Sequence, residues 1–97
     1  MDKVFYLPTL SGAERLFVAI FPGAELSDIP SDIEETMEIA LASLDEHRSQ
    51  MIRLYYWQGL SCAEISKQNN SSPETVRKII KHGLSKLKDK VYAEYKA

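Results

Sequence analysis

The sequence predicts an all-α fold, a small bundle of about five helices. Apolar residues recur at intervals of three and four along most of the chain, whereas the alternating pattern of a half-buried strand is absent. Serine or aspartate precedes several of these apolar runs, and proline, glycine or asparagine follows them, as at the starts and ends of helices. Since 97 residues suffice for one small domain, we expect an N-terminal helical extension (1–43) and a second segment (44–97) to form one compact unit.

Two helices are predicted in the N-terminal extension. Each begins at a capping-box spacing, in which a serine and a glutamate three residues later bond each other's backbone N–H groups: Ser11 with Glu14, and Ser31 with Glu34. The first helix is stopped by Pro22 and Gly23. The second is expected to end near Leu44, with one apolar stripe and an acidic first turn that complements the helix dipole.

Three helices are predicted in the second segment. Their expected N-caps are Asp45, Ser61 and Ser72. The third helix covers about residues 46–58 and ends at Gly59, and the fourth is short. Asn69 and Asn70 can adopt the left-handed geometry of a tight turn, after which Pro73 occupies the first position of a fifth helix that extends to about Tyr95.

Charge is distributed unevenly along the chain. Residues 1–45 carry two basic and nine acidic side chains, a net charge of −7, whereas residues 72–97 carry seven basic and three acidic side chains, a net charge of +4. The basic end is suited to contact phosphates while the acidic end faces away. The alternative is that the two segments only present solvated helix faces of opposite sign.

Several classes of function are disfavoured by composition. Cys62 is the single cysteine, and no zinc-ligand spacing is present, so we expect neither a disulfide nor a metal nor another cofactor. The sequence has no spacing typical of a nucleophile–base pair or of a phosphate-binding loop, so we do not expect an enzyme. No apolar run approaches the roughly 20 residues that span a bilayer, and the N-terminus lacks the pattern of a signal peptide. We therefore expect no membrane partner and a cytoplasmic location.

The segment from Leu44 to Leu87 resembles region 4 of sigma-70-type transcription factors. The residues that carry the resemblance are Leu44, Ile52, Leu54, Tyr56, Trp57, Gly59-Leu60-Ser61, Glu64-Ile65, Ser72, Thr75-Val76-Arg77, Leu84 and Leu87. LuxR-type response regulators share part of this pattern, but the aromatic pair Tyr56-Trp57 favours the sigma-like family. The resemblance implies a C-terminal helix-turn-helix of the winged-helix-like class. It also implies a transcriptional regulator that binds double-stranded DNA and contacts RNA polymerase.

The resemblance places a recognition helix at about residues 73–90, in the DNA major groove. The residues expected to contact DNA are Ser61, Ser72, Pro73, Glu74, Thr75, Arg77, Lys78 and Lys81. Glu74 is suited to accept from a cytosine amino group, and Arg77 to pair with guanine. Lys81, together with Lys86 and Lys88, is expected to contact phosphates. Ser61 and Ser72 mark helix N-termini, which attract phosphate.

The alternative function is a protein-interaction module that binds RNA polymerase, or a sigma or anti-sigma partner, without strong DNA affinity. The sequence departs from the family pattern in the turn, where the family has an apolar residue at Asn69, glycine at Asn70, and isoleucine or valine at Ser71. The apolar side chains that would fill the space between the fourth and fifth helices are therefore missing. His82 has no partner that the sequence identifies, and the oligomeric state stays open.

Overall fold

The computed structural model describes residues 10–96, with side chains up to residue 93. Five helices follow one another: α1 (Gly12–Ile20), α2 (Ile33–Ala42), α3 (Glu46–Tyr56), α4 (Cys62–Asn69) and α5 (Pro73–Lys96). One short 3-10 turn, Leu26–Asp28, precedes α2 and was not predicted. Residues 10–96 contain no strand, so the all-α prediction is confirmed and this part of the chain has no β-hairpin wing.

Local capping decides where four of the five helices start, as predicted. Ser11 and Ser61 each accept a hydrogen bond from the glutamate N–H three residues on, and each glutamate side chain accepts from the serine N–H. Asp45 caps α3 by accepting from the Arg48 N–H. Ser72 Oγ accepts from the Thr75 N–H at 3.1 Å, which caps α5. Each of these bonds satisfies a backbone donor that the first helical turn leaves without a partner.

The capping box predicted at Ser31 is wrong. The N-cap of α2 is Asp32, whose side chain makes no capping hydrogen bond. The Ile33 N–H donates to the Pro30 carbonyl at 3.3 Å, which encloses Ser31 and Asp32 in a turn. Because this turn delays the helix by one residue, Ser31 lies too early to act as its cap.

The second and third helices both end two residues earlier than predicted. Ser43 Oγ donates to the Ala40 carbonyl at 2.6 Å, and the Leu44 N–H reaches back to the Leu41 carbonyl, so the last turn of α2 tightens and stops. At the end of α3 the chain reverses through Gly59, whose φ is +74°. The Leu60 N–H then donates to the Leu54 carbonyl, which closes the helix end.

The hydrophobic core forms around α5, which contacts each of the other four helices. On α5, Ile80 and Gly83 are buried, whereas their neighbours Ile79 and Leu84 are half-buried. Fully buried side chains come from all five helices: Leu16, Met37, Leu41, Met51, Ile52, Ile65, Val76, Leu87 and Val91. A helix that is buried along only one stripe leaves its opposite face available to solvent.

The N-terminal helices pack directly on the rest of the bundle. A Cβ built on Gly12 would lie 2.5 to 2.9 Å from three atoms of the Trp57 ring, so only glycine allows this close approach of α1 to the end of α3. Farther along, Glu38 of α2 pairs with Arg53 of α3. Among the described residues, no helix is both long enough and apolar enough to cross a membrane.

Candidate nucleic-acid interface

The turn between α4 and α5 is closed by hydrogen bonds instead of an apolar plug. Asn70 adopts the left-handed conformation, with φ 53° and ψ 41°, as predicted. Asn69 Nδ2 donates to the Ile65 carbonyl at 2.9 Å, and the Ser71 N–H donates to the Ser66 carbonyl at 3.1 Å. The Ser71 hydroxyl is buried here without a hydrogen-bond partner. The polar turn therefore keeps a defined geometry at the cost of one unsatisfied group.

The outer face of α5 carries three of the predicted contact residues, Glu74, Lys78 and Lys81. Positions 74, 78, 81, 82 and 85 recur at helical spacing on the side opposite the buried Val76, Ile80 and Leu87, and all five are exposed. Lys78, Lys81, His82 and Ser85 line one shallow depression. The face from position 74 to 85 extends for roughly 17 Å along the axis, at 1.5 Å per residue. This exposed face is basic, because Lys78 and Lys81 outnumber Glu74, and an α-helix fits the width of a DNA major groove.

Glu74 and Arg77, the two residues suited to read bases, are paired with each other. Arg77 Nη1 donates to Glu74 Oε1 at 3.0 Å, and both side chains are more than half exposed. An exposed pair of this kind contributes at most about 1 kcal/mol, so a nucleobase can replace either partner. The structure brings the two groups together but leaves both accessible.

The two helix N-termini differ in what they can offer to a phosphate. Ser61 Oγ accepts from the Glu64 N–H, while Glu64 Oε1 accepts from the Ser61 N–H at 2.8 Å. That glutamate therefore occupies a backbone donor and adds negative charge at the start of α4. Ser72 Oγ lies 3.0 Å from Thr75 Oγ1 in addition to its capping bond, and Pro73 has no N–H. The capping roles are thus clear, whereas phosphate contact by Ser61 and Ser72 stays a prediction.

A groove on one flank of α5 combines aromatic and basic side chains. Tyr55, Tyr56 and Cys62 border it from α3 and α4, and Arg77 and Lys81 border it from α5. Burial raises the pKa of the Tyr56 hydroxyl, with a smaller effect of the neighbouring Tyr55. Lys86 and Lys88 lie exposed farther along the helix. Basic side chains therefore lie both on the outer face of α5 and on its flank.

Sequence reasoning missed the partner of His82. Arg48 Nη2 lies 3.1 Å from His82 Nδ1, although 34 positions separate the two residues. Arg48 Nη1 also lies 2.6 Å from Oδ1 of Asp45, the N-cap residue of α3. No local pattern signals a contact at this sequence separation, because it depends on how α3 and α5 cross.

No group of three or more histidine, cysteine, aspartate or glutamate side chains in residues 10–93 is placed to hold a metal ion. Cys62 is a half-buried thiol. Glu34 and Glu35 are exposed on the first turn of α2, as a solvated acidic face.

Comparison with known proteins gives one match. The family model described as sigma-70, region 4 matches residues 40–89. This range contains all the predicted contact residues. The match supports the sigma-like resemblance over the LuxR-type one. No curated protein and no solved structure matches the chain.

Proposed function

Because the chain belongs to the sigma-70 region 4 family of helix-turn-helix domains, we propose that it is a transcriptional regulator that binds double-stranded DNA. The N-terminal half of α5 enters the major groove in this proposal. The observation that carries it is the exposed basic face of α5, with Lys78 and Lys81 at its centre and the Glu74–Arg77 pair at its start. Membership of a DNA-binding regulatory family also favours a regulatory function over an enzymatic one.

The proposed contacts divide between bases and phosphates. Glu74, Thr75 and Arg77 lie in the first turns of α5, the part of a recognition helix that reaches base edges. Lys78 contributes to the same face, while Lys81 and the two serine caps contact the backbone. Pro73 starts the helix and sets the direction in which these side chains project.

We expect the acidic first turn of α2, Glu34 and Glu35, to lie away from the proposed DNA-binding face, because α2 borders the C-terminal part of α5. Thr36, Ile39 and Ser43 of α2 line a groove with Lys90 of α5. Lys90 is 12 residues beyond Lys78, or roughly 18 Å along the helix. The acidic first turn of α2 therefore adds little repulsion between DNA phosphates and the protein at the exposed basic face of α5. Charges farther apart than about 8 to 10 Å are largely screened at physiological salt.

The alternative candidate is a module that binds RNA polymerase or a sigma-related partner. One observation favours it: Ile39 and Tyr92 are 58% and 54% exposed, outside the basic face. Exposed apolar side chains of this size are common at protein interfaces. A pull-down that recovers polymerase subunits, combined with gel shifts that stay negative, would favour this function over DNA binding.

A gel-shift assay at low salt tests the DNA-binding proposal. Arg77→Ala combined with Lys78→Ala should abolish retention of double-stranded DNA. In Lys78→Ala alone, which should keep a measurable affinity, the slope of log affinity against log salt should fall by about 0.9 if one phosphate is no longer neutralised. The charge-matched control is Arg15→Ala combined with Lys90→Ala. It removes two positive charges outside the exposed basic face of α5 and should leave retention unchanged. Equal retention by both double variants would contradict the proposal.

A further inference from the structure

Arg48 connects the start of α3 to the exposed face of α5. Its backbone N–H and its Nη1 both donate to the Asp45 carboxylate, at 3.1 and 2.6 Å, and its Nη2 lies 3.1 Å from His82 Nδ1. A Cβ built on the buried Gly83 would lie 3.8 Å from Arg48 Cβ and Cδ, so the aliphatic part of the side chain packs over this glycine. The guanidinium is therefore held in one position by α3 and α5 together.

The contact between Arg48 and His82 determines which ring nitrogen carries the proton. A guanidinium has five N–H donors and no acceptor. His82 Nδ1 must therefore accept from Arg48 Nη2, and a neutral imidazole that accepts at Nδ1 carries its proton on Nε2. Arg48 thus selects one of the two neutral forms of the His82 ring.

The selected N–H is directed away from Arg48. Nε2 lies across the imidazole ring from Nδ1, and His82 is exposed in the depression that Lys78, Lys81 and Ser85 also line. A phosphate attracted by these two lysines comes within reach of the His82 N–H. Position 82 lies about 12 Å along the helix from position 74, beyond the turns that reach base edges, which favours contact with the DNA backbone.

We propose that Arg48 is a positioning residue for DNA binding, which holds His82 with its proton on Nε2 and so presents this N–H to a backbone phosphate beside Lys78 and Lys81. The phosphate contact rests on the proposed function, whereas the choice of ring form by Arg48 does not. The lysines supply charge without a fixed direction, and His82 adds a directional hydrogen bond that fixes the register of α5 on the duplex.

The first experiment measures the protonation of the His82 ring in the full chain without DNA. Nitrogen chemical shifts of ¹⁵N-labelled histidine distinguish the two neutral forms at about pH 8, where an ordinary histidine is uncharged. We expect the Nε2–H form in the wild type and a mixture of both forms in Arg48→Met, which removes the donor but keeps an aliphatic side chain over Gly83. Arg53→Met, the same substitution elsewhere on α3, should leave the His82 spectrum unchanged.

The second experiment is a double-mutant cycle on affinity for a DNA duplex. His82→Phe should weaken binding about fivefold, as expected for one net hydrogen bond. Arg48→Met should weaken it less, by about twofold for an equal mixture of the two ring forms, and the double variant should be no weaker than His82→Phe alone. Non-additivity of this kind shows that Arg48 acts through His82. Circular dichroism confirms that each variant is folded.

Three results would overturn the proposal. One is a wild-type His82 that carries its proton on Nδ1, and another is a ring form that Arg48→Met leaves unchanged or that Arg53→Met changes equally. The third is additive losses of affinity in the cycle. A wild-type chain that binds no DNA would overturn the proposed function and the phosphate contact together, while the ring form would still show whether Arg48 controls His82.

Discussion

The Arg53 guanidinium donates two parallel hydrogen bonds to the Glu38 carboxylate, at 2.9 and 3.0 Å. This fork joins α2 to α3, and the same guanidinium lies 6.0 Å from the centre of the Trp57 ring. Trp57 in turn packs against Gly12 in α1. Arg53 and Trp57 therefore connect the N-terminal helices to the family-matched segment, in addition to the packing of α1 and α2 on α5. Both contacts can be tested by substitution.

Replacement Glu38→Gln should lower the free energy of unfolding by up to about 1 kcal/mol at neutral pH, because the pair is partly exposed. The hydrogen bonds from Arg53 lower the pKa of the Glu38 carboxyl below its ordinary value of 4.5. A lowered folded-state pKa gives stabilisation that is complete above the unfolded pKa and is lost as pH falls through the folded value. Urea unfolding should therefore show a larger difference from wild type at pH 7 than at an acidic pH below 4.5, the ordinary pKa of the carboxyl. A difference that is the same at both pH values would contradict this assignment.

Replacement Gly12→Ala should destabilise the chain by about 1 to 3 kcal/mol, the usual cost of overpacking. The added methyl group would overlap the Trp57 ring and displace it. Tryptophan fluorescence during urea unfolding reports both the displaced ring and the reduced stability. Gly23→Ala is the matched control, since nothing lies within 4 Å of a Cβ at that position. Equal effects of the two substitutions would show that the contact with Trp57 is unimportant.

The adjacent serines of the turn should respond in opposite directions to substitution. Ser71→Val replaces a buried hydroxyl that has no partner and should raise stability by about 1 kcal/mol. The Ser71 N–H keeps its bond to the Ser66 carbonyl, and valine is one of the residues that the family has at this position. Ser72→Ala removes the cap of α5 and should lower stability by about 1 kcal/mol. Thermal or urea unfolding of both variants checks the signs, and a destabilised Ser71→Val would mean that its hydroxyl is satisfied.

Replacement Glu74→Ala should separate general DNA affinity from base discrimination. Loss of the carboxylate removes repulsion from phosphates and releases Arg77, so affinity for non-selected DNA should rise. Loss of an acceptor for a base amino group should relax the preference at one base pair, by about 1 to 3 kcal/mol. Binding to selected and scrambled duplexes measures the two effects. Unchanged discrimination would show that Glu74 reads no base.

Helix starts were predictable where capping is a local interaction. Ser11, Asp45, Ser61 and Ser72 each bond a backbone N–H three residues away, so the spacing alone identifies them. Ser31 has the same spacing as Ser11, but the turn closed by Pro30 competes with it. A capping pattern therefore predicts a helix better than it predicts the first residue of that helix.

Contacts between distant positions were not predictable from patterns. Glu38–Arg53 and Arg48–His82 join different helices, and the approach of Gly12 to Trp57 depends on the crossing of α1 and α3. The exposed face of α5 was predictable, because helical spacing separates it from the buried stripe. Which of its charges are engaged, as in the Glu74–Arg77 pair, required the side-chain positions.

The most direct test of the proposed function is an NMR titration of the full chain with a duplex selected from a random DNA pool. Backbone amide shifts locate the bound surface residue by residue. The proposal predicts changes at residues 72–85 and at the start of α4, with α1 and α2 unaffected. Changes confined to α1 and α2, or the absence of changes in the first half of α5, would contradict it.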